Sequence, residues 1–217
     1  MRCFCGYEGE FGPVTAATAR ESMICPACGC TSRHRAVGFA CAAYVNDARI
    51  YEVGHSRLTP LLRRQAKEVV VSEIQPCLGS VQQNLEALSF PSAYFDLAIC
   101  SDVLEHVRLY RKAISELIRV LRPGGVLGLT VPFAPFSDAH YSFCDLGASA
   151  ELDRWHSDAP VHSDPMNANG CKVYRTYGRT LLMQQLIELG LPSVLTTKDD
   201  IPEHGLVNSA VILGAKA

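Results

Sequence analysis

Short, continuous apolar runs divide the middle of the chain. We predict β-strands for them because each is too short for a surface helix; they cover residues 50–53, 69–73, 95–100 and 126–131. The first run ends at Gly54 and leads into residues 59–65, which favour a helix. A strand, a glycine turn and a helix open nucleotide-binding α/β units, where the backbone must approach a ligand closely.

Helical periodicity marks three further segments, residues 33–45, 113–121 and 179–189. Thr31 and Ser32 offer an N-cap for the first, and an Arg-Pro-Gly-Gly sequence ends the second. Two more strands are predicted near the end of the sequence, at residues 193–198 and 207–213. Strands that alternate with helices in this way are typical of an α/β sheet domain.

Bulk properties narrow the class of protein. A chain of 217 residues can bury one sizeable core plus a small module. Its net charge of −2 gives no general attraction to nucleic acid or to an anionic membrane. We find no apolar run of the ~18 residues that a membrane span needs, and the first residues lack the apolar core of a signal peptide. We therefore expect a cytoplasmic protein with neither nucleic acid nor a membrane as its partner.

Cysteine spacing predicts a metal site in the first 32 residues. Five of the ten cysteines lie there, and Cys25-Pro-Ala-Cys28-Gly is a zinc-knuckle sequence. The partner pair is Cys3-Phe-Cys5, whose spacer is one residue shorter than usual, so Cys30 or His34 could replace Cys3. We predict a structural zinc with the ligand set Cys3, Cys5, Cys25 and Cys28. The alternative is a reduced cysteine cluster without metal. This is disfavoured, because a segment with so few apolar side chains needs a cross-link such as a bound metal ion to fold.

Several motifs together resemble those of class I S-adenosylmethionine-dependent methyltransferases of the type 11 kind. They are Glu52-Val-Gly54, Glu73, residues 84–91 (Asn-Leu-Glu-Ala-Leu-Ser-Phe-Pro), Phe95-Asp-Leu, Ser101-Asp-Val-Leu-Glu-His106 and Leu121-Arg-Pro-Gly-Gly125. The cysteine knuckle followed by Arg33-His-Arg35 is similar to methyltransferases that carry an N-terminal zinc ribbon. The resemblance implies a Rossmann-like α/β fold, with a mostly parallel seven-stranded sheet and helices on both faces. It implies a zinc-ribbon module over residues 1–32 and a methyltransferase domain over 33–217.

The resemblance also implies where S-adenosylmethionine binds. Glu73 would accept the ribose hydroxyls, Asn84 stands in the adenine loop where an acidic residue is usual, and Arg33 or Arg35 could pair with the cofactor carboxylate. The full set of predicted cofactor contacts is Arg33, Arg35, Glu52, Gly54, Ser56, Glu73, Ile74, Asn84, Leu85, Ser101, Asp102 and His106. NAD fits less well, because Glu52 is poorly placed for an anionic pyrophosphate.

Regular periodicity fails over residues 133–176, and this insertion leaves the sheet at its ligand end. Long connections of this type are usually lids or binding loops, so we predict that it closes over the substrate. His140 and His156 are the candidate general bases, with His106 next in line. The His and Asp residues of the insertion match no strong metal-ligand spacing, so solvated loop polarity is favoured over a second metal site.

These observations predict in-line methyl transfer from S-adenosylmethionine to a small-molecule acceptor. One alternative is an RNA methyltransferase that grips its substrate with the ribbon, although the basic residues form no stripe. Another is a catalytically silent cofactor-binding adaptor. The acceptor, the atom that is methylated and the oligomeric state remain open at this level.

Overall fold

The computed structural model of the chain describes residues 1–14, 19–75, 77–134, 137–164 and 167–217. Its strands are β1 Arg49–Val53, β2 Glu68–Glu73, β3 Val81–Gln82, β4 Phe95–Ser101, β5 Leu121–Thr130, β6 Tyr141–Ser142, β7 Cys144–Asp145, β8 Arg154–Trp155, β9 Val161–Asp164, β10 Asn167–Lys172, β11 Arg175–Thr176, β12 Ser193–Thr196 and β13 Ile212–Ala215. Its α-helices are α1 Ser32–Cys41, α2 Thr59–Leu62, α3 Tyr110–Val120 and α4 Arg179–Glu188. No α-helix in this described part is long and apolar enough to cross a membrane.

Seven strands form the central sheet in the order β12-β13-β5-β4-β1-β2-β3. Strands β1 to β5 pair in parallel, whereas β13 runs antiparallel to both β5 and β12. The order in which the chain adds strands changes direction at β1: β2 lies on one side of it, and β4 lies on the other. Open α/β sheets bind ligands beyond the carboxyl ends of the strands at such a switch point. The predicted Rossmann-like sheet is confirmed.

Helices cover both faces because side chains alternate along the buried strands. Tyr51, Ala98 and Leu127 face a core completed by α3 and α4. Their neighbours Ile50, Leu97 and Val126 face the other core, beneath α1 and the segment 58–62. Nearly continuous apolar strands are expected when both faces of a parallel sheet are buried.

The N-terminal segment packs onto α1 and shares its core. Cys3 and Cys25 belong to the same apolar cluster as Val37 of α1. The ring of Phe4 meets that of Phe39 edge to face, with centroids 6.0 Å apart. The predicted module boundary at residue 32 lies within this packed unit. Thr31 also caps α1, in a capping box with His34.

The insertion over residues 133–176 has regular structure, where its sequence showed no periodicity. Its described residues form three two-stranded antiparallel sheets, β6 with β11, β7 with β8, and β9 with β10. Residues 135, 136, 165 and 166 of the predicted lid lie outside the described residues. Such short ladders leave too few alternating positions to register as a periodic pattern.

Several predicted boundaries differ from the structure, and two of them change where a strand begins. Helix α3 ends at Val120, and Leu121 already belongs to β5, which pairs in parallel with β4. The last strand begins at Ile212 instead of residue 207. Asn208 has a φ of 47°, and the N–H of Val207 donates to Ser32, so this stretch turns toward α1 before the strand starts.

Candidate cofactor and active site

Three predicted site segments, which follow β1, β2 and β4, meet at the carboxyl edge of the sheet. Val53 is in register with Ser72 on one side and with Cys100 on the other, so the residues after these strands lie on neighbouring strand ends. Gly54 has a φ of 78°, a left-handed conformation that favours glycine. A Cβ built there would meet only Val103, at 3.9 Å, so the side of Gly54 stays open for a ligand.

Glu73 faces this turn from the end of β2. Its Oε1 accepts a hydrogen bond from the backbone N–H of His55 at 2.8 Å, and the side chain is 19% exposed. The next residue, Ile74, is 66% exposed although it is apolar. A carboxylate beside an exposed apolar side chain suits a ligand with hydroxyls on one part and a flat ring on the next.

Glu52 shapes the turn from beneath. Its carboxylate is buried and accepts hydrogen bonds from the hydroxyls of Ser56, at 2.6 Å, and Thr59, at 2.7 Å. Burial raises the pKa of Glu52, whereas these two hydrogen bonds lower it. Both oxygens are engaged within the loop, so Glu52 and Ser56 hold the backbone at Gly54 in place instead of facing the ligand.

A network of charges occupies the end of β4. The carboxylate of Asp102 accepts from Arg20 at 2.9 Å and lies 3.1 Å from Nε of Arg33. Arg33 also donates to the hydroxyl of Ser101 at 2.7 Å and pairs with Glu21. The φ of Asp102 is 53°, and backbone strain of this sort in a residue with a side chain is frequent at functional sites.

Arg20 and Glu21 belong to this network, although no sequence motif marks them. They lie in a 3₁₀ turn, Ala19–Glu21, within the cysteine-rich segment, between its two cysteine pairs. Their positions in a short irregular connection carry no periodic or motif signal. Only the packing of the segment against β4 and β5 brings them to Asp102 and to the carbonyl of Val131.

The structure places Arg35 away from this edge, in contrast to the prediction. Its guanidinium is fully buried and donates to four carbonyl oxygens, those of Met23, Cys30, His204 and Gly205. These contacts tie the cysteine-rich segment to the loop before β13. Arg35 is therefore a structural clamp, with four of its five N–H groups used.

Two other predicted contacts also have local structural roles. The side-chain oxygen of Asn84 accepts from the N–H of Glu86 at 2.9 Å in an exposed turn, and Leu85 lies in the core formed with α3 and α4. Asn84 can reach a ligand only if this turn bond is exchanged, because the carbonyl oxygen is the group that an adenine amine would need.

The three candidate histidines differ in how they are held. Both ring nitrogens of His140 are engaged, one by the N–H of Gly178 at 3.1 Å and the other by Gln185 at 3.0 Å. Burial lowers the pKa of His140. His156 is partly exposed, and its Nε2 lies 3.3 Å from the carboxylate of Asp145. His106 contacts the insertion, where its Nδ1 lies 2.9 Å from the carbonyl oxygen of Lys172.

The four predicted metal ligands converge. The sulfurs of Cys3, Cys5, Cys25 and Cys28 lie within 4.8 Å of one another. The Sγ atoms of Cys3 and Cys28 are 3.6 Å apart, and those of Cys5 and Cys25 are 3.8 Å apart. Zinc–sulfur bonds of ~2.3 Å in a tetrahedron separate the sulfurs by ~3.8 Å. Burial raises the pKa of the Cys28 thiol to about 12, a cost that a cation held by the four sulfurs would offset.

Two cavities lie beside the start of the insertion. One, of about 160 Å³, is lined by Arg20 and Val131 among others. The larger, of about 560 Å³, lies between the first residues of the insertion and the side chains of Arg179, Asp199 and Asn208. Gly54 and Glu73 line neither of these two cavities.

Known proteins resemble this chain both in sequence and in fold. A family model described as a methyltransferase domain matches residues 36–129. The ubiquinone/menaquinone biosynthesis C-methyltransferase UbiE of Photorhabdus laumondii is 46% identical over 69 residues, which are 29% of this chain and 28% of that protein. The chain thus spans less than a third of the length of that curated relative.

Solved structures share the fold across most of the chain. An S-adenosylmethionine-dependent methyltransferase from Mesorhizobium loti has a TM-score of 0.57 at 19% identity, covering 86% of this chain and 98% of that one. The 1,6-didemethyltoxoflavin-N1-methyltransferase of Burkholderia thailandensis, solved with 1,6-didemethyltoxoflavin and S-adenosylhomocysteine, has a TM-score of 0.54 at 16% identity, covering 86% and 78%. Residues 36–129 therefore match a methyltransferase domain, and the chain shares the fold of these methyltransferase structures, as its motifs predict.

Proposed function

We propose that the protein transfers the methyl group of S-adenosylmethionine to a small-molecule acceptor by in-line displacement. The observation that supports this most is the meeting of three features on neighbouring strand ends: the open left-handed turn at Gly54, the carboxylate of Glu73 and the Arg33–Asp102 network. The sulfonium already activates the methyl carbon. The protein must mainly orient the acceptor and exclude water, and proximity can contribute ~7–11 kcal/mol.

Each group would have a distinct role toward the cofactor. Glu73 would exchange its bond to His55 for the two ribose hydroxyls, and the exposed Ile74 would lie against the adenine. Arg33, with Arg20 beside it, would pair with the carboxylate of the methionine part. Asp102 and Glu21 balance these arginines, so the site suits a ligand that carries both a carboxylate and cationic groups.

The acceptor would bind on the side of the insertion. The cavity of about 560 Å³ begins where the chain leaves β5. It is lined by the charged side chains of Arg179 and Asp199 and by Phe133, over whose ring Arg179 stacks at 4.6 Å. We propose residues 133–176 as the substrate lid and His156 as the general base or orienting group. The carboxylate of Asp145 can hold its ring. His140 suits this role less, since both of its ring nitrogens are engaged.

Cys3, Cys5, Cys25 and Cys28 would hold a structural zinc in a ribbon over residues 1–32. Zinc bound there would fix the fold of a segment that has little apolar core of its own. The turn that carries Arg20 and Glu21 lies between the two cysteine pairs, so the fold of the ribbon would support the charge network at Asp102. A role of this kind is structural and assigns the ribbon no contact with the acceptor.

Isotope transfer tests the proposal. The full chain is incubated with methyl-labelled S-adenosylmethionine and either a metabolite extract or total RNA, and the labelled products are identified by mass spectrometry. Label in a small molecule supports the proposal, whereas label in RNA alone supports a ribbon-dependent RNA methyltransferase. Cofactor binding without label in either fraction indicates an adaptor.

The Glu73→Ala variant tests the cofactor site separately from turnover. We expect it to bind S-adenosylmethionine at least tenfold more weakly by calorimetry, about 1.4 kcal/mol or more, because the ribose hydroxyls lose their acceptor. Unchanged affinity in this variant, or tighter binding of NAD than of the sulfonium, would contradict the cofactor assignment.

A further inference from the structure

A second cluster of metal-ligating groups lies where the insertion meets the sheet. Glu105 and His106 belong to a 3₁₀ turn, Leu104–His106, that follows β4, and His162 lies on β9 of the insertion. One ligand atom from each of these three residues lies within 4.8 Å of the other two. The cysteine cluster described above uses none of these residues.

Glu105 is the unusual member of the cluster. Its side chain is 0% exposed, and both of its carboxylate oxygens are buried without a hydrogen-bond partner among the described residues. Burying a carboxylate without partners is costly, and buried charges in proteins are normally paired or bound to metals. A cation bound next to Glu105 would remove this cost.

The distances show that Glu105 forms no hydrogen bond to either histidine, whereas the two imidazoles lie within hydrogen-bond reach of each other. Oε1 of Glu105 lies 3.9 Å from Nε2 of His106 and 3.8 Å from Nδ1 of His162, both too long for hydrogen bonds. The two nitrogens are 3.3 Å apart. From these three separations, the point equidistant from the three atoms lies about 2.1 Å from each, which matches zinc bonds to imidazole nitrogen and carboxylate oxygen.

The tautomer of His106 also fits a ligand. Its Nδ1 lies 2.9 Å from the carbonyl oxygen of Lys172, which can only accept, so Nδ1 carries the proton. The lone pair of Nε2 then points into the cluster. A hydrogen bond of this type behind a ligating histidine fixes its ring and raises its basicity in metal sites.

We propose that Glu105, His106 and His162 form a second metal site, which takes a divalent transition-metal ion such as Zn²⁺. Two imidazoles and one carboxylate suit Zn²⁺ better than Mg²⁺, which prefers oxygen ligands. Three protein ligands leave a coordination position for a water or an oxygen of another molecule. The ion would also tie β9 of the insertion to the turn after β4. The site does not depend on the proposed methyl transfer, since metal binding is measured without turnover.

The test is a calorimetric titration of the full chain with Zn²⁺ after one equivalent has loaded the cysteine cluster, with total zinc measured after dialysis. We expect a second binding event and two zinc ions per chain. His162→Ala and Glu105→Gln should each weaken that event at least ~100-fold and leave one zinc. His156→Ala is the matched control, because it removes a partly exposed histidine of the same insertion that lies outside the cluster, and it should keep both ions.

Two outcomes would overturn the site. One is a wild-type chain that binds a single zinc with no second event, and the other is a second event that survives in both His162→Ala and Glu105→Gln. The side chain of His162 is 42% exposed, so its removal should leave the fold intact even if the buried Glu105→Gln variant does not fold. Circular dichroism of each variant checks this directly.

Discussion

Replacing Arg35 with lysine tests whether the two arginines at the start of α1 have separate roles. Arg35 donates to four carbonyl oxygens, two in the cysteine-rich segment and two in the loop before β13, at distances between 2.6 and 2.9 Å. Hydrogen bonds from a charged group contribute ~1.5–3 kcal/mol each. A lysine ammonium is a point charge with three N–H groups, so it cannot donate to all four carbonyl oxygens at once.

Loss of about two of the four bonds predicts that Arg35→Lys reduces the free energy of unfolding by roughly 3 kcal/mol or more. For a chain of this size the melting temperature should fall by roughly 6–12 °C. The affinity for S-adenosylmethionine should stay unchanged. In Arg33→Lys the positive charge remains between Asp102 and Glu21, so the loss of stability should be only ~1 kcal/mol, while a bidentate contact to the cofactor carboxylate is lost.

The assay is thermal unfolding at fixed zinc concentration, together with calorimetric titration of the cofactor into each variant. We expect the two readouts to separate: Arg35→Lys changes stability alone, and Arg33→Lys weakens cofactor binding about tenfold. A variant Arg35→Lys with an unchanged melting temperature and tenfold weaker cofactor binding would refute the assignment of Arg35 as a structural clamp.

Three further predictions concern the metal, the pH response and catalysis. Cys25→Ser should lower the zinc content by one ion per chain and make the N-terminal segment protease-sensitive, since structural zinc supplies ~10–16 kcal/mol to such units; unchanged zinc content would contradict the ligand set. Burial lowers the pKa of His34 to about 3, and its Nδ1 must accept from the N–H of Thr31. Below about pH 6.5, His34 therefore binds a proton in the unfolded chain but not in the folded chain. The free energy of unfolding should then fall by up to ~1.4 kcal/mol per pH unit relative to His34→Gln, which keeps the capping box. Parallel urea-unfolding stabilities of the two proteins from pH 7.5 to 5.5 would contradict this. His156→Ala should lower turnover by ~10²–10⁴ at unchanged cofactor affinity, whereas His140→Ala should mainly lower stability; turnover within twofold of wild type in His156→Ala would place the base elsewhere.

Features that depend on local chemistry could be predicted from the sequence. The order of strands and helices follows from apolar runs and 3.6-residue periodicity, which burial on two faces of a sheet imposes. The thiols of Cys25 and Cys28 are brought together by their own turn, in which the N–H of Gly29 donates to the carbonyl of Cys25. Gly54 and Glu73 end adjacent strands, so parallel pairing alone places them together.

Contacts between distant segments were decided by the tertiary structure alone. Arg33 and Arg35 are two residues apart on one helix and thus point about 200° apart. The docking of α1 determined that Arg33 faces Asp102 and Arg35 faces the cysteine-rich segment. His106 and His162 are 56 residues apart in the chain, and only the folded insertion brings their nitrogens to 3.3 Å. A sequence pattern reports which face of its own element is buried, but not which partner covers that face.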